Sequence, residues 1–255
     1  MDRRLLFNED VINYDRYRPC YCKALFDDIM AFASLKQGMR VIEIGIGTGQ
    51  ATAPFLSSGC DLTAIELGPD LAAYTQEKYK AYHNFQIINT SFEDYECEDN
   101  SVDLIYAATA FHWIPEAIAY PKVLRLLKPK GTLALFWNKP FVAREDDELH
   151  RRIQTIYNQF RPSDYTPIEH DENRYARIAA TIRSYGFLEI ETKLYHQKRL
   201  MGADEYIGLL NTYSDHREIV SEIKADFEKE IHRAIIEHGN QLHVYDTIDL
   251  YLARK

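Results

Sequence analysis

From residue 39 onward, short β-branched or apolar runs alternate with longer stretches whose apolar residues recur at helical spacing. This alternation is the signature of βαβ units and a parallel sheet. Runs at 40–44, 62–67, 85–89, 102–108 and 132–137 predict five strands. Helices are expected at 48–57, closed by Gly59, and at 69–82, opened by Pro69; another ends at Lys128-Pro129-Lys130-Gly131. Pro121 sits inside this last helix and is expected to kink or restart it.

Outside this block, residues 10–36 are predicted helical with an interruption at Arg18-Pro19, since the residue before proline disfavours the α region. Helical spacing returns at 145–160 and 171–184, on either side of a loop at 161–167. An extended run at 186–198 follows, then helices at 203–210 and 218–238 and a final strand at 242–252. In the long helix, Ile219, Ile223, Phe227, Ile231 and Ile235 form a stripe for a core rather than a membrane. With no internal repeat or low-complexity linker, one α/β domain is expected. It comprises a helical cap (1–38), an α/β core (39–138), and helical insertions with C-terminal strands completing the same sheet (139–255).

At 255 residues, with 46% apolar and 27% charged residues, the chain can build a core without disulfides or structural metal. Its net charge of −9 is the opposite sign from a phosphate-tracking surface, so nucleic acid is not an expected partner. No apolar run approaches the roughly 18 residues that span a bilayer, and the N-terminal segment has no long apolar core after its basic residues. A cytoplasmic protein without a membrane partner is expected, and the oligomeric state is left open. The four cysteines are too scattered for a disulfide framework or a zinc knuckle, and no metal is expected. Cys20 and Cys22 read as helix residues on different faces.

The chemistry concentrates at Val41-Ile42-Glu43-Ile44-Gly45-Ile46-Gly47-Thr48-Gly49, a buried strand running into a glycine-rich turn that opens a helix. Glycines allow the tight turn and a close ligand approach. The dinucleotide fingerprint has its third glycine five positions after the first, where this chain has Gln50, which disfavours an NAD-dependent oxidoreductase. There is no P-loop lysine, and Glu43 would repel a phosphate. Glu66, at the end of the next predicted strand, lies where an acidic side chain accepts hydrogen bonds from both ribose hydroxyls. A nucleoside cofactor without pyrophosphate is implied.

These residues resemble the class I S-adenosylmethionine-dependent methyltransferases, in which an acidic residue stands two before GxGxG, as in VIEIGIGTG. NFQIINTSFEDYECEDNSVDLIYAATAFHWI is similar to the family's adenine loop, fourth strand and following motif, and LKPKGTLALFWN to its fifth-strand entry. YDRYRP, LLNTYSDH and TIDLYLARK are similar to a small-molecule branch that includes trans-aconitate-type methyltransferases. The resemblance implies a doubly wound, Rossmann-like, mostly parallel sheet of seven strands, the last two (187–198 and 242–252) forming an antiparallel edge.

It further implies S-adenosylmethionine as cofactor and S-adenosylhomocysteine as product. Gly45, Gly47 and Gly49 would hold the methionine part, Glu43 its amino end, and Glu66 the ribose. Ser91 stands where the family often has aspartate, so the adenine contact passes to Glu93, with Phe92 and Ala108 as further wall residues.

Methyl transfer is an in-line displacement that mainly needs alignment and exclusion of water. His112, just past the fourth strand, is the candidate base, unless it only orders its loop. Trp113 is a candidate wall against the sulfonium cation, or packs the following helix. Trp137 and Asn138 end the fifth strand at the same edge, and Tyr14, Tyr17, Arg18 and Tyr213 are candidate lid residues that meet a small-molecule acceptor. Arg18 suits a carboxylate, making an organic acid the favoured acceptor class. A second reading is a nonenzymatic cofactor-binding protein that offers its insertion to a partner.

Overall fold

The computed structural model describes residues 3–164 and 166–255; Met1 and Asp2 of the cap, and Tyr165 of the loop at 161–167, lie outside the described residues. A 3-10 turn (Arg3–Glu9) leads into α1 (Val11–Tyr17) and α2 (Lys23–Ala33). Asp10 caps α1 by accepting from the Asn13 N–H, and Arg18 leaves the helix in an extended conformation ahead of Pro19. Cys20 and Cys22 therefore lie in the link between α1 and α2 and not within a helix.

The core follows as β1 (Arg40–Ile44), α3 (Thr52–Ser57), β2 (Asp61–Glu66), α4 (Pro69–Lys78), β3 (Phe85–Asn89), β4 (Val102–Ala108), α5 (Glu116–Leu126) and β5 (Leu127–Phe141). The first of these helices starts four residues later than predicted because Gly49 takes φ +83°, a left-handed conformation no helix accommodates. Pro121 does not end α5, which runs through it as one element. The segment read as the end of this helix, Lys128 to Gly131, instead opens β5, and Leu127 pairs with Val102 across a register shift.

The rest of the chain forms α6 (Glu148–Phe160), α7 (Glu172–Ser184), β6 (Leu188–Met201), α8 (Ala203–Leu210), α9 (Ser214–Arg217), α10 (Ser221–Glu237) and β7 (Leu242–Arg254). The seven strands make one sheet in the order β3-β2-β1-β4-β5-β7-β6. β7 alone runs against the others, pairing antiparallel with both β5 and β6. The strand order reverses between β1 and β4, the switch point outside whose carboxyl ends open α/β sheets bind ligands.

Each sheet face carries its own core. On one, α2 buries Leu25, Phe26 and Ile29 against Phe55, Tyr106 and Phe136. On the other, Val123, Leu126 and Ile182 pack on Ile105, Leu133 and Tyr251. A third core joins α6, α8 and α10 to the start of β7 through Ile153, Leu209, Phe227, Ile231, Leu242 and Val244. Phe227, Ile231 and Ile235 of the predicted stripe are fully buried here, whereas Ile223, one turn earlier, is exposed. Because β7 begins in the insertion core and continues into the cores of the sheet, the helices of the insertion are held at the carboxyl edge.

Candidate active site

At that edge a cavity of about 270 Å³ lies between the turn after β1, the ends of β2 and β4, the N-terminal segment and the residues after α8. Its floor is the glycine turn. Gly45 (φ +66°) must lack a side chain because a Cβ would come within 2.7 Å of Ala110 Cβ. A Cβ on Gly47 (φ +58°) would meet the Tyr14 ring at 3.3 Å, on the cavity side. Gly49 corrects the sequence expectation: it does not line the cavity, its missing Cβ makes room for the Tyr79 ring at 2.5 Å, and the Tyr79 hydroxyl donates to its carbonyl at 2.9 Å.

Glu66 ends β2 facing the cavity. Its Oε2 accepts from the Gly47 N–H at 2.9 Å and its Oε1 from the Gly68 N–H at 2.8 Å. Burial raises its pKa, opposed by these backbone donors. Each oxygen keeps a lone pair for a ligand hydroxyl. Glu43 lies deeper, fully buried, and lines a small chamber adjoining the cavity. Thr52 Oγ1 and the Tyr106 hydroxyl both donate to its Oε2 at 2.7 Å. Burial, reinforced by the nearby Glu66 charge, pushes its pKa up to about 8.

Beyond the end of β3, Phe92 and Ser91 line the cavity, and the Ser91 hydroxyl closes the local turn by donating to Asp94 Oδ2 at 2.6 Å. Glu93 does not reach the lining: its Oε1 accepts from Arg4 Nη1 at 2.8 Å, and it is Arg4 that faces the cavity. The ion pair with a residue 89 positions away engages one oxygen of this carboxylate, while its Oε2 is buried without a hydrogen-bond partner. Ala108 lines both the cavity and the adjoining chamber.

The opposite wall is built by Tyr14, Arg18, His112, Trp113, Asn138 and Tyr213. Arg18 donates from Nη2 to the Thr212 carbonyl at 2.6 Å, and its guanidinium carbon lies 4.5 Å from the Tyr213 ring centre and 4.9 Å from that of Tyr14. Its Nε, the Tyr213 hydroxyl and both amide atoms of Asn138 are buried without a hydrogen-bond partner. Burial pushes the Tyr213 hydroxyl up to about 12. Asp215 also lines the cavity, and although burial opposes its charge, His216 and Arg161 hold its carboxyl at about 2.

His112 does not have the geometry of a base. The Trp137 indole, which can only donate, donates from Nε1 to His112 Nδ1 at 3.0 Å, so the neutral ring carries its proton on Nε2. One edge of the ring is open to the cavity, yet the protein around it disfavours imidazolium, and Arg174 and Arg18 add positive charge. Together they lower its pKa to about 4. At neutral pH His112 is a hydrogen-bond donor.

Two predicted acceptor residues lie outside the cavity. Tyr17 packs its ring over Gly208, where a Cβ would come within 2.4 Å, and so fastens α1 to α8. Trp137 is buried on the α7 face of the sheet, edge-on to Tyr251 at 5.8 Å, and reaches the site only through His112. Sequence reasoning missed Phe7 and Arg4, whose 3-10 turn has no periodic pattern, and Thr109. Thr109 takes φ +55° directly after β4, and its Oγ1 bonds to the Tyr21 hydroxyl at 2.8 Å. Only its place at the strand end signalled it.

The class these features define is a Rossmann-like, doubly wound fold with a ligand-sized cavity at its switch point. Residues 42–135 match a family model described as a methyltransferase domain. An uncharacterized methyltransferase of Mycobacterium tuberculosis is 33% identical over 137 residues, 54% of each chain. The chain thus spans about half the length of the mycobacterial relatives it matches. An uncharacterized methyltransferase of Schizosaccharomyces pombe is 23% identical over 90% of this chain and 86% of its own. Among solved structures, one described as a type II methyltransferase from Anaeromyxobacter dehalogenans has a TM-score of 0.67 at 20% identity, covering 93% of this chain and 98% of that one. Phosphoethanolamine N-methyltransferase 2 of Haemonchus contortus, bound to phosphomonomethylethanolamine and S-adenosylhomocysteine, has a TM-score of 0.56 at 14% identity over 97% of this chain and 57% of its own.

Proposed function

We propose that this chain is an S-adenosylmethionine-dependent methyltransferase of the cytoplasm that modifies a small organic acid of the trans-aconitate kind. The observation that carries the reading is the pairing of two unlike walls on one cavity. Gly47 and Glu66 form a bare-backbone and carboxylate cradle suited to the amino-acid and ribose parts of the cofactor. Facing them, Arg18, Tyr213 and Asn138 hold buried polar atoms that no protein group satisfies. Buried polar groups rarely stay unpaired without a purpose, and a ligand is the natural partner. The matched methyltransferase domain ends at residue 135, and so includes the cofactor wall and His112 but not Arg18, Asn138 or Tyr213.

When bound, the cofactor supplies an electrophilic methyl carbon on a sulfonium, so the residues' task is alignment rather than activation. Arg18 and the Tyr213 hydroxyl donate to an acceptor carboxylate, while Asn138 offers both a donor and an acceptor to a second polar group. His112 donates from Nε2 and removes no proton, as suits a carboxylate, which arrives already ionised. Phe7, Trp113 and Phe92 keep water from the reacting atoms. Isothermal calorimetry with S-adenosylhomocysteine and NAD, followed by transfer of labelled methyl to trans-aconitate, citrate, phenols and amines, tests the reading. Tight binding of the nucleoside with transfer to no acceptor favours the nonenzymatic alternative; binding of NAD alone removes both.

A further inference from the structure

His112 is not held by its own loop. Its Nδ1 is occupied by the indole of Trp137, which comes from β5, and Trp137 is itself enclosed by groups from two other elements. Asp249 of β7 stands directly opposite Trp137 in the antiparallel β5–β7 register, on the same face of the sheet. It is almost fully buried, and its Oδ2 accepts from Arg174 Nη1 at 2.9 Å and from the Tyr251 hydroxyl at 3.1 Å. Arg174, from α7, is thereby held with its guanidinium carbon 5.6 Å from the Trp137 ring centre.

We infer that Arg174 and Asp249, acting through Trp137, are positioning residues that fix His112 as an Nε2–H donor facing the acceptor. The inference rests on the methyltransferase reading, since an acceptor is what that donor meets. A cation over an indole face draws electron density from the ring and strengthens its N–H as a donor. Asp249 fixes the cation's place, because a buried carboxylate that loses its partner is costly to keep charged. Lys139 and Tyr175 also face this cluster: the ammonium of Lys139 lies 5.3 Å from the Tyr175 ring centre, and the Tyr175 hydroxyl is buried without a partner. Asp249, Asp171 and Arg177 share this region with Arg174 and Lys139, and of these Arg174 is the charge that bears on His112 and opposes imidazolium. A carboxylate placed behind a catalytic histidine would prepare it to gain a proton; this chain puts an indole and then a guanidinium there.

The tautomer can be read directly. In the full chain labelled with 15N-histidine, with and without S-adenosylhomocysteine, His112 is assigned by its loss in His112→Gln. Its Nε2 is expected to resonate as protonated and its Nδ1 as unprotonated at neutral pH. Trp137→Phe keeps an aromatic ring but removes the donor, and should move both signals toward a tautomer mixture. Arg174→Met should move them in the same direction by less, and Arg174→Lys, which keeps the cation, should restore most of the wild-type pattern. Retention of S-adenosylhomocysteine affinity within a factor of about two, a few tenths of a kcal/mol, controls for folding. Unchanged signals in folded Trp137→Phe and Arg174→Met would overturn the inference. Should wild type fail to bind S-adenosylhomocysteine, the methyltransferase reading falls, while the tautomer measured on the free chain still decides this one.

Discussion

The two walls of the cavity solve opposite problems. On the wall proposed for the cofactor, Glu66 and Glu43 are already engaged: both oxygens of Glu66 accept backbone N–H groups, and Glu43 accepts from Thr52 and Tyr106. On the wall proposed for the acceptor, Arg18 Nε, the Tyr213 hydroxyl and the Asn138 amide are buried without partners. The first wall is complete before a ligand arrives and gains affinity from preorganisation. The second is left unfinished, and a ligand that satisfies it is discriminated from one that does not, because the unmatched groups stay unpaired. Cofactor binding is therefore expected to depend on backbone shape, and acceptor choice on individual side chains.

The largest expected effect tests the shape of the first wall. Gly47→Val places a branched side chain at φ +58° against Tyr14, in space the cofactor needs. S-adenosylhomocysteine affinity should fall at least about a hundredfold, roughly 2.7 kcal/mol, with the thermal transition still cooperative. Unaltered affinity by titration would remove the glycine turn from the cofactor site.

The second wall should respond independently. Arg18→Gln should raise the acceptor KM at least about tenfold, roughly 1.4 kcal/mol, and leave S-adenosylhomocysteine affinity within a factor of about two. Arg18→Lys should not rescue it, since an ammonium lacks the planar fork and the stacking that Tyr14 and Tyr213 support. A parallel fall in cofactor affinity would merge the two walls and take away the anchor of the carboxylate reading.

A smaller effect concerns protonation. Glu43, unfolded, has an ordinary carboxyl pKa, whereas in the folded, unliganded chain it titrates at about 8. Between those values the folded state holds a proton that the unfolded state has released, so this group's contribution to stability falls as pH rises toward 8. The ammonium of the ligand's amino-acid part favours ionised Glu43, so binding should release a proton and S-adenosylhomocysteine affinity should rise about threefold to tenfold from pH 6.5 to 8. Calorimetry in two buffers of different ionisation enthalpy reads the proton, and Glu43→Gln should flatten the dependence.

The walls also differed in how legible they were from sequence. The cofactor wall is contiguous, with strand, turn and Glu43 in nine residues and Glu66 at the end of the next strand, so the local pattern carries it. Gly49 fits the same motif but serves Tyr79, because spacing does not state which way a missing Cβ would point. The acceptor wall is assembled from α1, β5 and the stretch after α8, so neighbours in sequence part company in space. Arg18, the extended residue after α1, enters the cavity while Tyr17, the last residue of the helix, packs on Gly208. Asn138 faces the cavity while Trp137, one residue earlier on a strand, points to the opposite face. The strands were legible because burial repeats along them. The extension of β5 through Lys128-Pro129-Lys130-Gly131 was not, because the pairing of Leu127 with Val102 of β4 overrode residues that ordinarily end an element.

The smallest expected effect has the opposite sign from the others, and for that reason separates the two walls most cleanly. If the acceptor wall is unfinished for the sake of a ligand, finishing it with an apolar group should stabilise the free chain and damage function. Asn138 is the residue for this test, because both of its amide atoms are buried and unpaired while its backbone N–H is already engaged by Thr109 Oγ1 at 3.3 Å. Asn138→Leu keeps the branched shape of the side chain, and its bulkier methyl groups have the cavity beside them to expand into. Each unpaired buried group costs about 1–3 kcal/mol where no water reaches it. The cavity beside Asn138 admits water, so a gain of about 0.5–1 kcal/mol is expected, a rise in Tm of about 2 °C for a chain of this size. Acceptor turnover should fall in the same variant with S-adenosylhomocysteine affinity unchanged. The same exchange on the first wall, Glu66→Leu, should destabilise instead, since it leaves the Gly47 and Gly68 N–H groups without their acceptors. Calorimetric unfolding of the two variants side by side decides the matter: if Asn138→Leu melts lower than wild type, its amide belongs to the fold and the contrast between a finished and an unfinished wall is lost.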